Sequence, residues 1–269
     1  MLKPIGSIVM AAGRGSRMRN FEGNKTLLPL VPLSSPLQGT QPILLHILSS
    51  LPLGPKALIV KHAKEAVMEA TRFLGVAYWE QPVLNGTAGA LLAALPFIEN
   101  GAFQNLIITM GDVPLVRPET YIELVEALSS NVFVVLGFRP QDRRQYGALE
   151  IQDRKVKKII EWKYWHTLPH EKQALLDIFN SGIYAARREE LLHYIPLLAS
   201  RPHTVFKERN GKQVKLEEFF ITDLVEIIEK DRRPVGFAVA RDEEEVMGVD
   251  DVDSLIRAQE AYRRRSSEH

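Results

Sequence analysis

Two glycines and three cations, Gly13, Gly15, Arg14, Arg17 and Lys25, follow closely on the apolar run 7–12. Glycine lets a backbone turn tightly and brings its N–H groups close to a ligand. Concavities lined by such amides bind anions, phosphate above all. Ala11, Ala12, Gly13, Gly15 and Ser16 therefore read as a polyphosphate cradle at the end of a first strand, and Arg17 and Lys25 add fixed positive charge beside it. A glycine-rich turn with solvated arginines has the same spacing. Two other phosphate loops are excluded. A dinucleotide fingerprint needs a third glycine and an acidic residue after the second strand, where this chain has Lys61 and His62; the P-loop pattern G-x-x-x-x-G-K-[ST] does not occur.

A second group of candidate residues carries oxygen ligands. The apolar run 105–110 ends in Gly111-Asp112-Val113-Pro114. A carboxylate at a strand's carboxyl edge, after a glycine that leaves room for a ligand, suits magnesium, which takes one or two carboxylates plus phosphates and water. A turn aspartate before a proline has the same local sequence. Further on, Gly86-Thr87 opens an Ala- and Leu-rich helix, and the Gln81 amide offers both donor and acceptor, like the imide edge of uracil. Asn85-Gly86-Thr87 is also ordinary turn-and-cap chemistry. The seven histidines show no H-x-x-x-H spacing. Trp162, Tyr164 and Trp165 read as a packed interface, and Glu243-Glu244-Glu245 as a solvated acidic run.

These groups need a scaffold, and the remaining pattern predicts one. Strand-like runs at 5–10, 57–60, 76–80, 105–110, 132–138 and 235–240 alternate with amphipathic stretches at 43–51, 63–74, 87–98 and 118–128. Such alternation predicts an α/β fold: a Rossmann-like, mixed and mostly parallel sheet with helices on both faces and right-handed crossovers. Ligands bind outside the carboxyl ends of such strands, so the loops at Gly13 and Gly111 should converge on one crevice. After Arg139 the runs shorten, with strands at 147–152, 156–161 and 180–185 around a polar helical stretch at 170–176. The expected organisation is a single domain, 1–269, with a core about 1–139 and 232–269 and a smaller lobe about 140–231. Segments 219–231 and 252–265 read as helices, whereas 32–41 and 201–215, the latter centred on Asn210-Gly211, read as loops.

Composition sets outer bounds. At 269 residues, 45% hydrophobic and 25% charged, the chain can bury a sizeable core. A formal charge of +1 gives no general field for nucleic acid, and Arg263-Arg264-Arg265 reads as a solvated helix end complementing the dipole. No apolar stretch reaches membrane-spanning length, no basic-then-apolar leader begins the chain, and there is no cysteine. A cytoplasmic location and no membrane or nucleic-acid partner are expected.

The whole loop, A-A-G-x-G-[ST]-R-M followed by a lysine, resembles that of the sugar-1-phosphate nucleotidyltransferases. Within that family it is most similar to the uridylyltransferase (pyrophosphorylase) domain of bacterial UDP-N-acetylglucosamine pyrophosphorylase. The resemblance implies the nucleotide-diphospho-sugar transferase fold and recurs in order along the chain. It implies Asp112 as a magnesium ligand, and Asp250, in Gly248-Val249-Asp250, as the second; that position is normally asparagine in the uridylyltransferase and aspartate in some hexose-1-phosphate enzymes. It assigns the base to Gln81, Gly86 and Thr87, and the phosphates to Arg17 and Lys25 as catalytic residues. On the sugar side it implies Gly111, Tyr146-Gly147, Glu161, Asn180 in Asn180-Ser181-Gly182-Ile183, and Thr222 in Phe220-Ile221-Thr222-Asp223.

The activity so implied is magnesium-dependent, in-line attack of a sugar-1-phosphate on the α-phosphate of UTP, giving a UDP-sugar, UDP-N-acetylglucosamine first among them, and pyrophosphate. Another hexose-1-phosphate, another nucleotide (dTTP, GTP or CTP) or a silent nucleotide-binding module are the alternatives. The chain departs from the family at Asn24, where a proline is usual, and in the longer connection 32–41; it carries no hexapeptide repeat of a left-handed β-helix, so acetyl transfer is not expected.

Overall fold

The computed structural model describes residues 4–267 apart from 16, 19, 20, 144, 145, 210 and 211. The chain opens with β1 (Ile5–Met10), a 3-10 turn (Lys25–Leu27), the hairpin β2 (Pro29–Ser35) and β3 (Gln38–Pro42), and α1 (Ile43–Ser50). Next come β4 (Lys56–Val60), α2 (Lys64–Thr71), β5 (Ala77–Glu80), α3 (Thr87–Ala93), α4 (Leu95–Asn100) and β6 (Asn105–Met110). They are followed by α5 (Pro118–Glu126), β7 (Phe133–Phe138), β8 (Ala148–Gln152), β9 (Lys155–Ile160), α6 (Trp162–Trp165) and α7 (His170–Ala174). The chain then forms β10 (Phe179–Arg187), α8 (Arg188–Ala199), the ribbon β11 (His203–Arg209) and β12 (Lys212–Glu218), α9 (Asp223–Lys230), β13 (Val235–Val239) and α10 (Val252–Ser266).

The sheet runs β13-β7-β10-β6-β1-β4-β5. Pairing is parallel throughout except for β10, which is antiparallel to both β6 and β7. The central strands are buried on both faces, which explains their near-continuous apolar sequence. Ile8 and Met10 join the core on one side of the sheet while Val9 joins the core on the other, as the two-residue period of a strand requires. From β1 the chain adds β4 and β5 on one side, then returns to place β6 on the other. The connections leaving β1 and β6 thus diverge, and a crevice opens between their carboxyl ends.

Several elements differ from the sequence expectation. The 87–98 helix is broken into α3 and α4 because Pro96 lacks an N–H and crowds the carbonyl four residues back. Segment 32–41 is a hairpin whose prolines are tolerated in an isolated two-stranded edge. Segment 201–215 is likewise a strand ribbon, paired from His203↔Glu218 to Arg209↔Lys212, and its Asn210-Gly211 centre lies outside the described residues. Asn-Gly between strand-like runs is itself a hairpin signal. The strand at 180–185, expected among the short strands of the smaller lobe, runs through the middle of the sheet as β10, while β8 and β9 extend from its beginning. Helix α8 was not anticipated, although its buried Leu191, Tyr194, Ile195 and Leu198 follow helical spacing.

Glu245 also corrects the sequence reading. It is fully buried and accepts hydrogen bonds from the backbone N–H of Arg117 at 3.0 Å and of Arg241 at 3.1 Å, and from the Thr120 hydroxyl. Glu244 pairs with Arg264, and Arg265 reaches Asp242. The acidic run therefore fastens the start of α5 and the end of α10 around the segment that leads to Asp250. Glu245→Ala should remove the acceptor of two backbone amides and of the buried Thr120 hydroxyl and cost about 2–4 kcal/mol in urea unfolding, whereas Glu244→Ala should cost under about 1 kcal/mol.

Candidate active site

The loop after β1 begins as a continuation of the strand, with Ala11 donating to Ile59 O at 2.9 Å. It turns at Gly15, whose φ is +60°, and a Cβ there would lie 3.3 Å from the Lys25 stem. The positive φ favours glycine here, and the Lys25 stem passes in close contact with it. A Cβ on Gly13 would meet nothing within 4 Å, so that position faces open space. Ser16 lies outside the described residues.

The loop borders a cleft of about 380 Å³. Ala11, Ala12, Gly13, Gly15, Arg17, Lys25, Gln81, Gly86, Thr87, Asp112 and Asp250, predicted from four separate stretches of sequence, all line it. The backbone supplies the convergence. Gly111 donates to Met10 O at 2.9 Å and Val249 donates to Asp112 O at 2.8 Å, so the ends of β1 and β6 and the segment before α10 are held in register. A Cβ on Gly111 would lie 2.8 Å from Met10 O, which explains the glycine.

At the centre, the Lys25 ammonium lies 2.5 Å from Asp112 Oδ2 and 2.8 Å from Asp250 Oδ1. Arg17 holds the other Asp250 oxygen at 3.2 Å. Lys25 and Asp112 are largely buried, whereas Asp250 is half exposed and Arg17 mostly exposed. Burial alone would lower the Lys25 pKa, but the Asp112 and Asp250 carboxylates outweigh it and hold it above the usual 10.5. Sharing one ammonium places the two carboxylates within a few ångströms of each other. Two carboxylates beside the glycine loop match the donor set that magnesium prefers. Among the described residues no group of three or more His, Asp or Glu side chains gathers as a metal site.

On the wall formed by 81–87, the Gln81 amide nitrogen donates to Gly86 O at 3.1 Å and to Asn85 Oδ1 at 3.3 Å. Both of its N–H bonds are then used within the loop, so toward a ligand Gln81 presents its carbonyl oxygen, an acceptor. Gly86 has φ +96°, and a Cβ there would sit 2.3 Å from Phe219 O. The Thr87 hydroxyl accepts from the Ile221 N–H at 3.1 Å, tying this loop to the 220–223 motif.

A second cleft of about 800 Å³ shares Arg17, Thr87, Asp112 and Asp250 with the first. Tyr146, Glu161, Asn180 and Thr222 line it. A bulge in β10 between Asn180 and Ile183, with Gly182 at φ +81°, directs this part of the strand toward the cleft. Gly147 accepts from the Asn180 N–H at 2.8 Å, and Thr222 donates to Glu161 at 3.4 Å. Glu161 opens to the cleft yet is desolvated enough to raise its carboxyl pKa above the usual 4.5.

Sequence reasoning missed Glu218, a buried residue of the first cleft, and Arg257, which lines the second. Glu218 directly precedes the Phe219-Phe220-Ile221-Thr222 stretch, so the motif reading stopped short of it. Arg257 lies six residues after Asp251, the cap of α10 and the neighbour of Asp250, a proximity in sequence that is the one signal for it.

Comparison with known proteins matches residues 7–206 to the model of the MobA-like NTP transferase domain. Among curated proteins the chain is similar to the bifunctional protein GlmU of Paracoccus denitrificans, 31% identical over 271 residues, with 98% of this chain and 54% of that protein covered. The bifunctional protein GlmU of Cereibacter sphaeroides is 28% identical over 267 residues, covering 97% and 53%. The chain thus spans about half the length of the curated relatives it matches. Among solved structures, the uridine diphosphate N-acetylglucosamine pyrophosphorylase of Trypanosoma brucei superposes with TM-score 0.70 at 13% identity, covering 95% of this chain and 65% of that one. A nucleotidyl transferase from Methanothermobacter gives TM-score 0.61 at 18% identity, covering 97% and 99%; both show a shared fold.

Gly86→Ala should destabilise the protein by about 1–3 kcal/mol through a side chain forced to positive φ. The same change should abolish calorimetrically detected binding of a nucleoside triphosphate; unchanged affinity would separate this loop from nucleotide binding.

Proposed function

This chain belongs to the MobA-like NTP transferase domain family, and from that premise we propose that it joins UTP to a sugar-1-phosphate, N-acetylglucosamine-1-phosphate foremost, releasing pyrophosphate. The observation that carries this reading is the meeting of Lys25, Asp112 and Asp250 at the mouth of the glycine loop. A phosphate oxygen of the sugar-1-phosphate attacks the α-phosphorus of UTP. One P–O bond forms, and the bond from the α-phosphorus to the bridging oxygen breaks, its electron pair leaving with pyrophosphate. No enzyme nucleophile is needed, so the protein acts by positioning and charge stabilisation.

The loop amides of Ala12, Gly13 and Gly15 receive the triphosphate with Arg17. Lys25 supplies positive charge to the transferring phosphate, where negative charge is greatest in the transition state. Gln81, Gly86 and Thr87 take the base. Tyr146, Glu161, Asn180 and Thr222 take the sugar phosphate in the adjoining cleft; Gly111 and Gly147 line neither cleft and support it through their backbone bonds to Met10 and Asn180. Magnesium, held by Asp112 and Asp250, would supply neutralisation of the phosphate oxygens. A different hexose-1-phosphate is the second reading, favoured by the aspartate rather than asparagine at position 250.

Pyrophosphate release from a matrix of UTP, dTTP, GTP and CTP with several sugar-1-phosphates tests the reading. UTP with N-acetylglucosamine-1-phosphate should react fastest, and Lys25→Ala should lower turnover by about a hundredfold or more without changing the fold. Faster reaction with another nucleotide would overturn the base assignment. Silence with every pair would favour a binding module. Removal of magnesium should weaken UTP binding in calorimetry, and equal affinity with and without it would separate Asp112 and Asp250 from the nucleotide.

A further inference from the structure

The side chain directly before Lys25 is buried, with 1% of Asn24 exposed. Its amide nitrogen donates to Ala11 O and to His62 O, each at 2.9 Å. Its carbonyl oxygen accepts from the Thr26 N–H at 3.0 Å and the Thr26 hydroxyl at 2.9 Å. The full complement of an asparagine amide, two donors and two lone pairs, is satisfied. Ala11 and His62 follow the carboxyl ends of the neighbouring parallel strands β1 and β4, so one side chain links two strand exits to the turn that carries Lys25. That turn is a single 3-10 turn, Lys25–Leu27, with little hydrogen bonding of its own.

We propose that Asn24 is the positioning residue for Lys25. Its four hydrogen bonds fix the turn to the end of the sheet, so that the lysine stem passes Gly15 and its ammonium arrives between Asp112 and Asp250. Asn24 lines neither cleft; it acts through Lys25, and the inference rests on the role given to Lys25 above. The backbone at Asn24, φ −82° and ψ 122°, is one that proline can also adopt.

Steady-state pyrophosphate release, with magnesium, UTP and N-acetylglucosamine-1-phosphate, should be compared for wild type, Asn24→Ala, Lys25→Ala and the double variant. Asn24→Ala should lower kcat by about tenfold or more while the KM for UTP changes little, since a small misplacement of a catalytic group is enough. In the Lys25→Ala background the same change should cost nothing further, because both act through one ammonium. A kcat within about twofold of wild type, or a double variant lower than Lys25→Ala by the full Asn24→Ala factor, would overturn the proposal. Full activity in Lys25→Ala would instead overturn the role of Lys25.

Labelling of Lys25 by an amine reagent, followed by peptide mass spectrometry, gives a reading independent of turnover. It should be several-fold faster in Asn24→Ala, and an unchanged rate counts against the clamp. Should Asn24→Ala not fold, Asn24→Pro keeps the backbone conformation and removes the side-chain bonds. Its kcat should lie below wild type; a wild-type kcat would show the bonds dispensable and sink the idea.

Discussion

Two carboxylates that approach within a few ångströms repel each other unless a cation stands between them, and in this protein the cation is Lys25. Asp112 follows a central strand, Asp250 precedes the last helix and Lys25 sits in a turn near the start of the chain, so the contact joins segments far apart in sequence. The two halves are unequal. Asp112 and Lys25 are shielded from solvent and interact at low effective dielectric, whereas Asp250 is half exposed and screened by water. The Lys25–Asp112 pair is therefore the firmer anchor, and Asp250 the partner freer to turn toward a ligand.

The sheet makes this contact possible. Because the chain leaves β1 toward β4 and leaves β6 toward β7 on the opposite side, their carboxyl ends are adjacent while their loops part. An antiparallel strand threaded beside β6 adds the second half of the site: β10 begins near the cleft rather than ending there, and its bulge offers Asn180 where a parallel strand would offer a loop. The two clefts share a wall for this reason. Glu245 completes the support by fastening the segment before Asp250 to the start of α5, so that Val249 can reach Asp112 O.

The central strands were legible because burial on both faces leaves a near-continuous apolar run, and the bounds expected for β1 and β6 match to the residue. The cleft residues were legible because glycines at strand ends, cations and single carboxylates stand out against such runs. The hairpins were not, since proline in β2 and charge in β12 resemble loop composition, and cross-strand pairing leaves no local trace. Glu245 and Asn24 escaped for a related reason. A polar side chain in a polar stretch looks solvated until the backbone groups it satisfies, 128 residues away for Glu245 and Arg117, are brought beside it.

Charge balance explains why aspartate at position 250 is compatible with this geometry. Lys25 and Arg17 contribute two positive charges, and Asp112 and Asp250 two negative ones, so the cluster is formally neutral. An asparagine at 250 would leave Arg17 without its carboxylate and the cluster with one excess positive charge. Arg17 and Asp250 are thus matched: the extra carboxylate is offset by a guanidinium from the glycine loop, and the same guanidinium is held at the cleft instead of drifting in solvent. A polyphosphate that drew Arg17 and Lys25 onto itself would strip both carboxylates of their cations at once. Such a site accepts an anion most readily when a second cation enters with it, which is the arrangement a nucleotide–metal complex provides.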